Sequence, residues 1–259
     1  MKILVAVSLL VLAKFSHQQT DFCSSTLCSA GTTHIACNGL TGLSPSCGPD
    51  AVELNLDSTL QALILDLHND YRSTIATGNQ NYASNSYYPQ AQRMATMVWS
   101  NELAAVAAAN ARRCVFGHDQ CRNTDDFRVA GQNIASKSYY GMTISVNELI
   151  KGFVDAWYSE YVYANPSYIA SYPQDYTGPA IGHFTQVVAD RATHIGCSMV
   201  TYHESPWINQ LFVCNYAITN IIGQPVYQIG NYCSMCTTGC NPHYPGLCNI
   251  GEAINPNPW

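Results

Sequence analysis

Twelve cysteines in a chain of 259 residues constrain the fold more than any other feature of this sequence. They form three groups of four: Cys23, Cys28, Cys37 and Cys47; Cys114, Cys121, Cys197 and Cys214; and Cys233, Cys236, Cys240 and Cys248. An even number of cysteines in an exported chain predicts a framework of disulfide bonds, although spacing alone leaves the pairing open. The CxxC spacing of Cys233 and Cys236 also suits a metal, but an oxidising compartment favours disulfides.

The N-terminus predicts export. An apolar run from Ile3 to Leu12 follows a charged start and precedes small residues, of which Ala13 and Ser16 are candidate cleavage positions. Because the run is too short to span a bilayer, we interpret residues 1–16 as a signal peptide rather than as a core strand. No later run is long and apolar enough for a membrane anchor, so we expect a secreted, extracellular protein.

The net charge of the chain argues against two classes of binding partner. The net charge is −6 and only 11% of the residues are charged. Because nucleic acids and anionic membranes attract basic surfaces, we expect neither as a partner. Apolar residues make up 47% of the chain, which is ample for the core of one large domain or two small ones.

Apolar periodicity predicts three helices and two strands. The helices are 58–77, capped by Asp57 or Ser58; 100–113, capped by Ser100 or Asn101; and one that begins at Thr143 or Ser145 and ends near residue 163. The strands are His194 to His203 and Gln210 to Thr219. Residues 20–50 are expected to form a cysteine-rich flap, and the tyrosine-rich residues 161–180 a long loop that serves as a lid or a contact surface.

Four short segments carry the residues that could form a site. They are Phe116-Gly117-His118-Asp119, Gly131-Gln132-Asn133-Ile134, Ala156-Trp157-Tyr158-Ser159-Glu160 and Gly182-His183-Phe184-Thr185-Gln186. Gly182 permits close backbone approach, which would let the imidazole of His183 face a cavity. A lone histidine is more often structural, but the order and spacing of all four segments resemble the CAP superfamily over about Leu54 to Thr219. The upstream cysteines and the tail resemble its insect antigen 5 branch.

This resemblance implies an α+β fold, the three-layer α/β/α sandwich of CAP proteins, held by disulfides. The implied divisions are a cysteine-rich N-terminal segment at 17–56, a CAP domain at 57–222 and a cysteine-rich extension at 223–259. The resemblance pairs Cys23 with Cys37, Cys28 with Cys121, and Cys47 with Cys114. We further expect Cys197–Cys214 between neighbouring strands, and Cys233–Cys240 and Cys236–Cys248 in the tail. The motif from His68 to Arg72 resembles one in the first helix of the family, where its role is structural; we expect Arg72 to pair locally.

In the family, two histidines and two glutamates face one central cleft, and the matching residues here are His118, Gln132, Glu160 and His183. The two imidazoles are candidate ligands for a divalent metal such as zinc, although no cofactor is required. Gln132 has an amide where the family has an acid; it cannot act as a base, which weakens the metal hypothesis. Glu160 is the candidate base of an alternative metal-dependent hydrolase or protease. No GxSxG or HExxH motif occurs, so we assign no catalytic residue and favour a non-catalytic protein.

Some relatives carry lipids, sterols or eicosanoids in a channel between two helices. The corresponding lining here would be Leu63, Leu67, Phe153 and Trp157, although a residue of this kind more often simply fills the core. A second kind of partner is an extracellular host or mating-partner protein, and a third function is that of a receptor- or channel-directed effector in venom or saliva. The tail does not match the ion-channel module of cysteine-rich secretory proteins. We expect a monomer, and its relatives are often allergens.

Overall fold

The computed structural model describes residues 20–257, so the signal peptide predicted for residues 1–16 lies outside the described residues. Five helices have the following bounds: α1 Ser58–Ala76, α2 Asn101–Ala111, α3 Val146–Ser159, α4 Pro166–Ala170 and α5 Gly182–Val188. Nine strands have the following bounds: β1 Val52–Glu53, β2 Asn81–Ala83, β3 Ser86–Tyr87, β4 Met94–Ala95, β5 Val98–Trp99, β6 Gly131–Tyr139, β7 His194–Glu204, β8 Trp207–Tyr216 and β9 Leu247–Cys248. Short 3-10 turns form at Pro45–Cys47 and Glu160–Val162. None of the helices in this described part is long and apolar enough to cross a membrane.

A mostly antiparallel sheet forms the centre, with the strand order β1-β7-β8-β6 and with β5 paired in parallel to β7. The hairpin of β7 and β8 places Cys197 directly opposite Cys214, and the two are joined by a disulfide. Strand β6 pairs with β8 along its whole length, from Gly131 opposite Tyr216 to Tyr139 opposite Ile208. The first residues of β6 are therefore held firmly at one end of the sheet.

Helices cover both faces of this sheet. Helix α2 packs on β7 and β8 from one side, while α1, α3 and α5 pack on one another on the other side. The approach of α2 is so close that a Cβ at Gly196 would lie 2.1 Å from the backbone nitrogen of Ala104, so β7 tolerates no side chain there. The three-layer α/β/α sandwich expected from the sequence is confirmed.

Side-chain caps determine where the helices begin. The carboxylate of Asp57 accepts hydrogen bonds from the backbone of Thr59 and Leu60, which starts α1. Ser145 and Glu148 form a capping box at the start of α3. Helix α2 begins after Ser100 as expected but ends at Ala111, before the predicted end at residue 113.

Arg72 does not pair with a local residue, contrary to the sequence-based expectation. Its side chain is fully buried, and the guanidinium donates hydrogen bonds to the backbone carbonyls of Ala95, Val187 and Ala189. Burial lowers the pKa of Arg72 to about 10. This side chain therefore ties α1 to the segment before β5 and to the end of α5.

The expected loop at 161–180 contains regular structure. Asn165 accepts a hydrogen bond from the backbone of Ser167, and Pro166 occupies the first turn of α4. An Asn-Pro pair is a helix start because asparagine caps well and proline needs no hydrogen bond at the first position. The sequence therefore carried a signal for α4 that the abundance of tyrosine and proline obscured.

Six disulfides account for all twelve cysteines. They join Cys23 to Cys37, Cys28 to Cys121, Cys47 to Cys114, Cys197 to Cys214, Cys233 to Cys240 and Cys236 to Cys248, the pairs expected from the sequence. In the tail, β9 pairs in parallel with β4, so the C-terminal extension contacts the central domain directly.

Candidate functional site

The four residues that match the family cleft come from four different elements. His118 is exposed in the loop after α2, and Gln132 is the second residue of β6. Glu160 is the C-cap of α3, and His183 lies in the first turn of α5. The structure arranges them as two hydrogen-bonded pairs, each with one imidazole.

The first pair is His183 with Glu160. The Nδ1 atom of His183 lies 2.6 Å from Oε1 of Glu160. The other carboxylate oxygen accepts hydrogen bonds from the backbone nitrogens of His183, at 2.9 Å, and Phe184, at 3.2 Å. The N-cap position of α5, Ile181, has no side-chain hydrogen bond, so Glu160 supplies the missing cap from another element. A carboxylate at this position is also favoured by the helix dipole.

This arrangement determines the state of His183. Because a carboxylate only accepts hydrogen bonds, Nδ1 of the imidazole carries the proton that is shared with Glu160. The candidate base thus accepts three hydrogen bonds, one of which orients the imidazole while two hold the start of α5. Trp157 supports the same imidazole from α3, with the two ring centres 6.1 Å apart and nearly parallel.

The second pair is His118 with Gln132. The Nδ1 atom of His118 lies 2.7 Å from Oε1 of Gln132. The amide nitrogen of Gln132 donates to Oδ2 of Asp119, at 2.7 Å, and to Oδ1 of Asn215, at 2.9 Å. Asn215 is itself oriented by donating to the carbonyl of Leu103. Because both neighbours of the amide nitrogen are acceptors, Oε1 must face His118, and Nδ1 of that imidazole carries its proton.

Asp119 explains why an amide suits position 132. Its carboxylate is buried and accepts hydrogen bonds from Asn110, Arg122 and Gln132. An acid in place of Gln132 would bring a second carboxylate against it and would remove both donors. Sequence reasoning identified Gln132 as a departure from the family but missed Asp119, which lies within one of the four segments, and Asn215, which lies within the wider range that resembles the family.

Strand β6 connects the two pairs. Gln132 holds His118, and the next residue, Asn133, donates to the carbonyl of His183 at 3.2 Å. Before them lies Gly131, where a Cβ would come within 2.2 Å of Oε1 of Gln186. Gly182, in contrast, has room for a side chain, because the nearest atom to a Cβ there would be the Tyr172 hydroxyl at 3.6 Å. The close approach expected at Gly182 is therefore found at Gly131.

The residues expected to line a ligand channel belong to the hydrophobic core or pack against it. Phe153 and Trp157 are buried, and both stack on Phe212 of β8 with ring centres 5.7 and 5.5 Å away. Leu63 and Leu67 of α1 are partly buried against the same core.

Comparison with known proteins agrees with this architecture. Residues 65–216 match the model of the cysteine-rich secretory protein family, known as CAP. The chain is 42% identical to venom allergen-1 of Aedes albopictus over 90% of this chain and 89% of that protein. It is 33% identical to venom allergen 5.02 of Dolichovespula maculata, over 78% of this chain and 91% of that protein. The crystal structure of NaASP2 with Zn2+ is similar, with a TM-score of 0.62 and 27% identity, over 74% of this chain and 96% of that one. The chain therefore belongs to the CAP family, in its venom allergen-like branch.

Proposed function

We propose that this is an extracellular, non-catalytic CAP protein that binds a small hydrophobic ligand. The non-catalytic assignment depends on the hydrogen bonds of Glu160. Its two carboxylate oxygens accept three of them, two from His183 and one from Phe184. A carboxylate engaged in capping a helix is a poor general base, because taking up a proton would cost it those bonds.

Extracellular action is supported by the cysteines and by the relatives. All twelve cysteines are paired, and disulfides persist in oxidising compartments. Several relatives are named venom allergens. Their names describe an immune response or a source and give no mechanism, so the proposal depends on the site.

The layer formed by α1, α3 and α5 is largely apolar, which favours a hydrophobic ligand over a charged one. Leu63 and Leu67 on α1 face the same core as Phe153 and Trp157 on α3, and the buried indole nitrogen of Trp157 has no hydrogen-bond partner within residues 20–257. A buried donor without a partner is costly, and a ligand with one polar acceptor could satisfy it.

Zinc is a second candidate ligand, because both histidines have the tautomer that a metal site needs. Each Nδ1 is bonded to a side-chain oxygen, and neither Nε2 has a hydrogen-bond partner within the described chain. Zinc binds neutral imidazole nitrogen, and a carboxylate or amide behind each ring fixes its orientation. The fit is limited to two protein ligands, since the described residues contain no cluster of three or more histidine, cysteine or acidic side chains suited to a metal. Bound there, zinc would supply Lewis acidity.

Two measurements test the proposal on purified protein. Extraction with organic solvent followed by mass spectrometry should recover a bound apolar molecule, while assays with peptide and ester substrates should show no turnover. Turnover that is lost in Glu160→Gln would contradict the non-catalytic assignment. An extract without any apolar molecule, together with no uptake of added lipids, would instead favour a protein partner.

A further inference from the structure

A cavity lies away from the two histidine pairs, where the C-terminal tail crosses the central domain. Its volume is about 460 Å³. One wall comes from residues 95–98 and from the start of β7, a second from Asp126 and Phe127, and the third from residues 249–256 of the tail. Pockets that bind drug-sized ligands begin at about 300 Å³, so this one is large enough for a small molecule.

The lining is largely apolar. Val98 and Phe127 contribute from the central domain, while Ile250, Ile254 and Pro256 contribute from the tail. Ile250 is 68% exposed, so an apolar molecule in the pocket would cover hydrophobic surface that otherwise faces water. Phe127 is buried and its ring packs on the imidazole of His194, with centres 5.2 Å apart.

The tail wall is held in place on both sides of the pocket. The side chain of Glu252 is only 2% exposed and accepts hydrogen bonds from Arg93 and from the backbone and hydroxyl groups of Thr237 and Thr238. Burial would raise the pKa of Glu252, but these hydrogen bonds outweigh it and hold the pKa well below its usual range. A wall that is already ordered adds little entropic cost to binding.

A second anchor lies at the end of the described tail. Asn257 accepts a hydrogen bond from the backbone nitrogen of Arg128 and donates one to the backbone carbonyl of Asp126. The tail therefore bridges from Arg93 to the loop that carries Phe127. The pocket exists only because the cysteine-rich extension closes over the central domain.

The polar groups of the lining indicate the class of ligand. Asp126 and Glu252 are acidic, and none of the described lining residues is a lysine or an arginine, so a carboxylate or phosphate would find no cation. His194 offers an imidazole whose Nδ1 contacts the hydroxyl of Thr193 at 2.9 Å. Burial lowers the pKa of His194, which keeps the ring neutral at pH 7 and suited to bonding a hydroxyl group.

We infer that this pocket binds an uncharged amphipathic molecule, with its apolar body between Phe127 and Ile254 and a hydroxyl group near His194. The inference rests on the proposed function of binding a small hydrophobic ligand and adds to it a second location, away from Trp157, and a head-group preference. It differs from the helix-lined channel expected from the sequence, since no part of the pocket involves α1 or α3.

The test measures binding of Nile red to the full-length mature protein. Nile red is an uncharged dye whose fluorescence increases in apolar sites. Ala253 lines the pocket from an exposed position on the tail, so Ala253→Trp should fill the cavity without disturbing the fold. Ala30→Trp, at an exposed position in the N-terminal segment, is the matched control. We expect Ala253→Trp to weaken Nile red binding at least tenfold and Ala30→Trp to leave it unchanged. Ile250→Asp should weaken it as well.

Competition identifies the head group. Decan-1-ol should displace Nile red at a concentration at least tenfold lower than decanoate does. Equal displacement by the two would overturn the preference for an uncharged ligand. Equal binding of Nile red by the wild type, Ala253→Trp and Ile250→Asp would overturn the location and leave the proposed function intact. Failure of the wild type to bind Nile red, with an extract free of apolar molecules, would overturn both.

Discussion

Replacing Gln132 with glutamate should destabilise the protein, and more strongly as the pH rises. The amide nitrogen of Gln132 donates to Asp119 at 2.7 Å and to Asn215 at 2.9 Å, and glutamate supplies neither donor when ionised. Two carboxylates about 3 Å apart repel by about 5 kcal/mol at an effective dielectric constant of 20. Taking up a proton at pH 7, against a reference pKa of about 4.3, costs about 4 kcal/mol and restores one donor. Losing the donor to Asn215 adds about 1 kcal/mol.

We therefore expect Gln132→Glu to lower the free energy of unfolding by about 5 kcal/mol at pH 7 and by about 2 kcal/mol at pH 5. The sign follows from linkage: the pKa of the introduced carboxyl group is raised by folding, so the stability present at low pH is lost as the pH rises. Urea denaturation followed by circular dichroism at both pH values measures this difference.

Two controls separate this effect from a general response to glutamate. Gln120 is exposed and uses only its carbonyl oxygen, which accepts a hydrogen bond from the backbone of Thr33, so Gln120→Glu should change stability by less than about 0.5 kcal/mol. Adding Asp119→Asn to Gln132→Glu should be less harmful than the sum of the two single changes, because the repulsion disappears. A Gln132→Glu protein as stable as the wild type at pH 7, or a loss that does not vary with pH, would refute the reasoning.

Three further predictions concern Glu160, Arg72 and His68. Glu160→Gln removes the charged cap of α5 and should lower the free energy of unfolding by about 1–2 kcal/mol in urea titrations; an unchanged midpoint would argue against the cap. Arg72→Met removes the guanidinium donors from three buried backbone carbonyls, of which that of Ala189 keeps a hydrogen bond from the backbone of Ala192, so the change should cost at least about 2 kcal/mol, whereas a loss below about 1 kcal/mol would show that the carbonyls of Ala95 and Val187 find other partners. Burial lowers the pKa of His68 to about 4 in the folded protein, so its contribution to stability is complete above about pH 6.5 and falls by about 3 kcal/mol as the pH drops to 4. Burial raises the pKa of Asp190 to about 6, so the contribution of Asp190 to stability grows as the pH falls from 6 to 4 and opposes that of His68. The His68 effect is therefore measured as the difference in the free energy of unfolding between wild type and His68→Gln at each pH. A difference that does not vary with pH would contradict the prediction.

Helices α1, α2 and α3 and strands β7 and β8 could be predicted because their signals are local. Asp57 and Ser145 cap their helices through side chains a few residues away from the groups they bond, and the mostly apolar residues around Cys197 favour a strand in the same way. The family resemblance added the layer order and the pairing of distant cysteines, which no local pattern supplies.

The chemistry of the site depended on contacts between distant parts of the chain. Glu160 was recognised as a candidate base, but its role in capping α5 is visible only when a helix 23 residues later lies against it. Arg72 was assigned a nearby partner because charged residues on helices commonly pair locally, yet its acceptors lie on carbonyls up to 117 residues away.

The pocket under the tail could not be predicted for a similar reason. Its walls combine residues 95–98, 126–127 and 249–256, and the tail reaches them through Glu252 and Asn257. Nothing in the composition of the cysteine-rich extension indicates which surface of the central domain it covers. Tertiary packing alone determines that contact.

Zinc titration by calorimetry tests most directly whether the two oriented imidazoles form one site. If the two imidazoles share zinc, the second candidate ligand, the wild type should bind one zinc ion per chain at pH 7.5, with affinity lowered at least tenfold in both His118→Ala and His183→Ala. His203→Ala, which removes an exposed histidine from the hairpin of β7 and β8, should bind zinc as the wild type does. Wild-type affinity in either of the first two variants would show that the imidazoles act separately, and would contradict the proposal that they share a zinc ion.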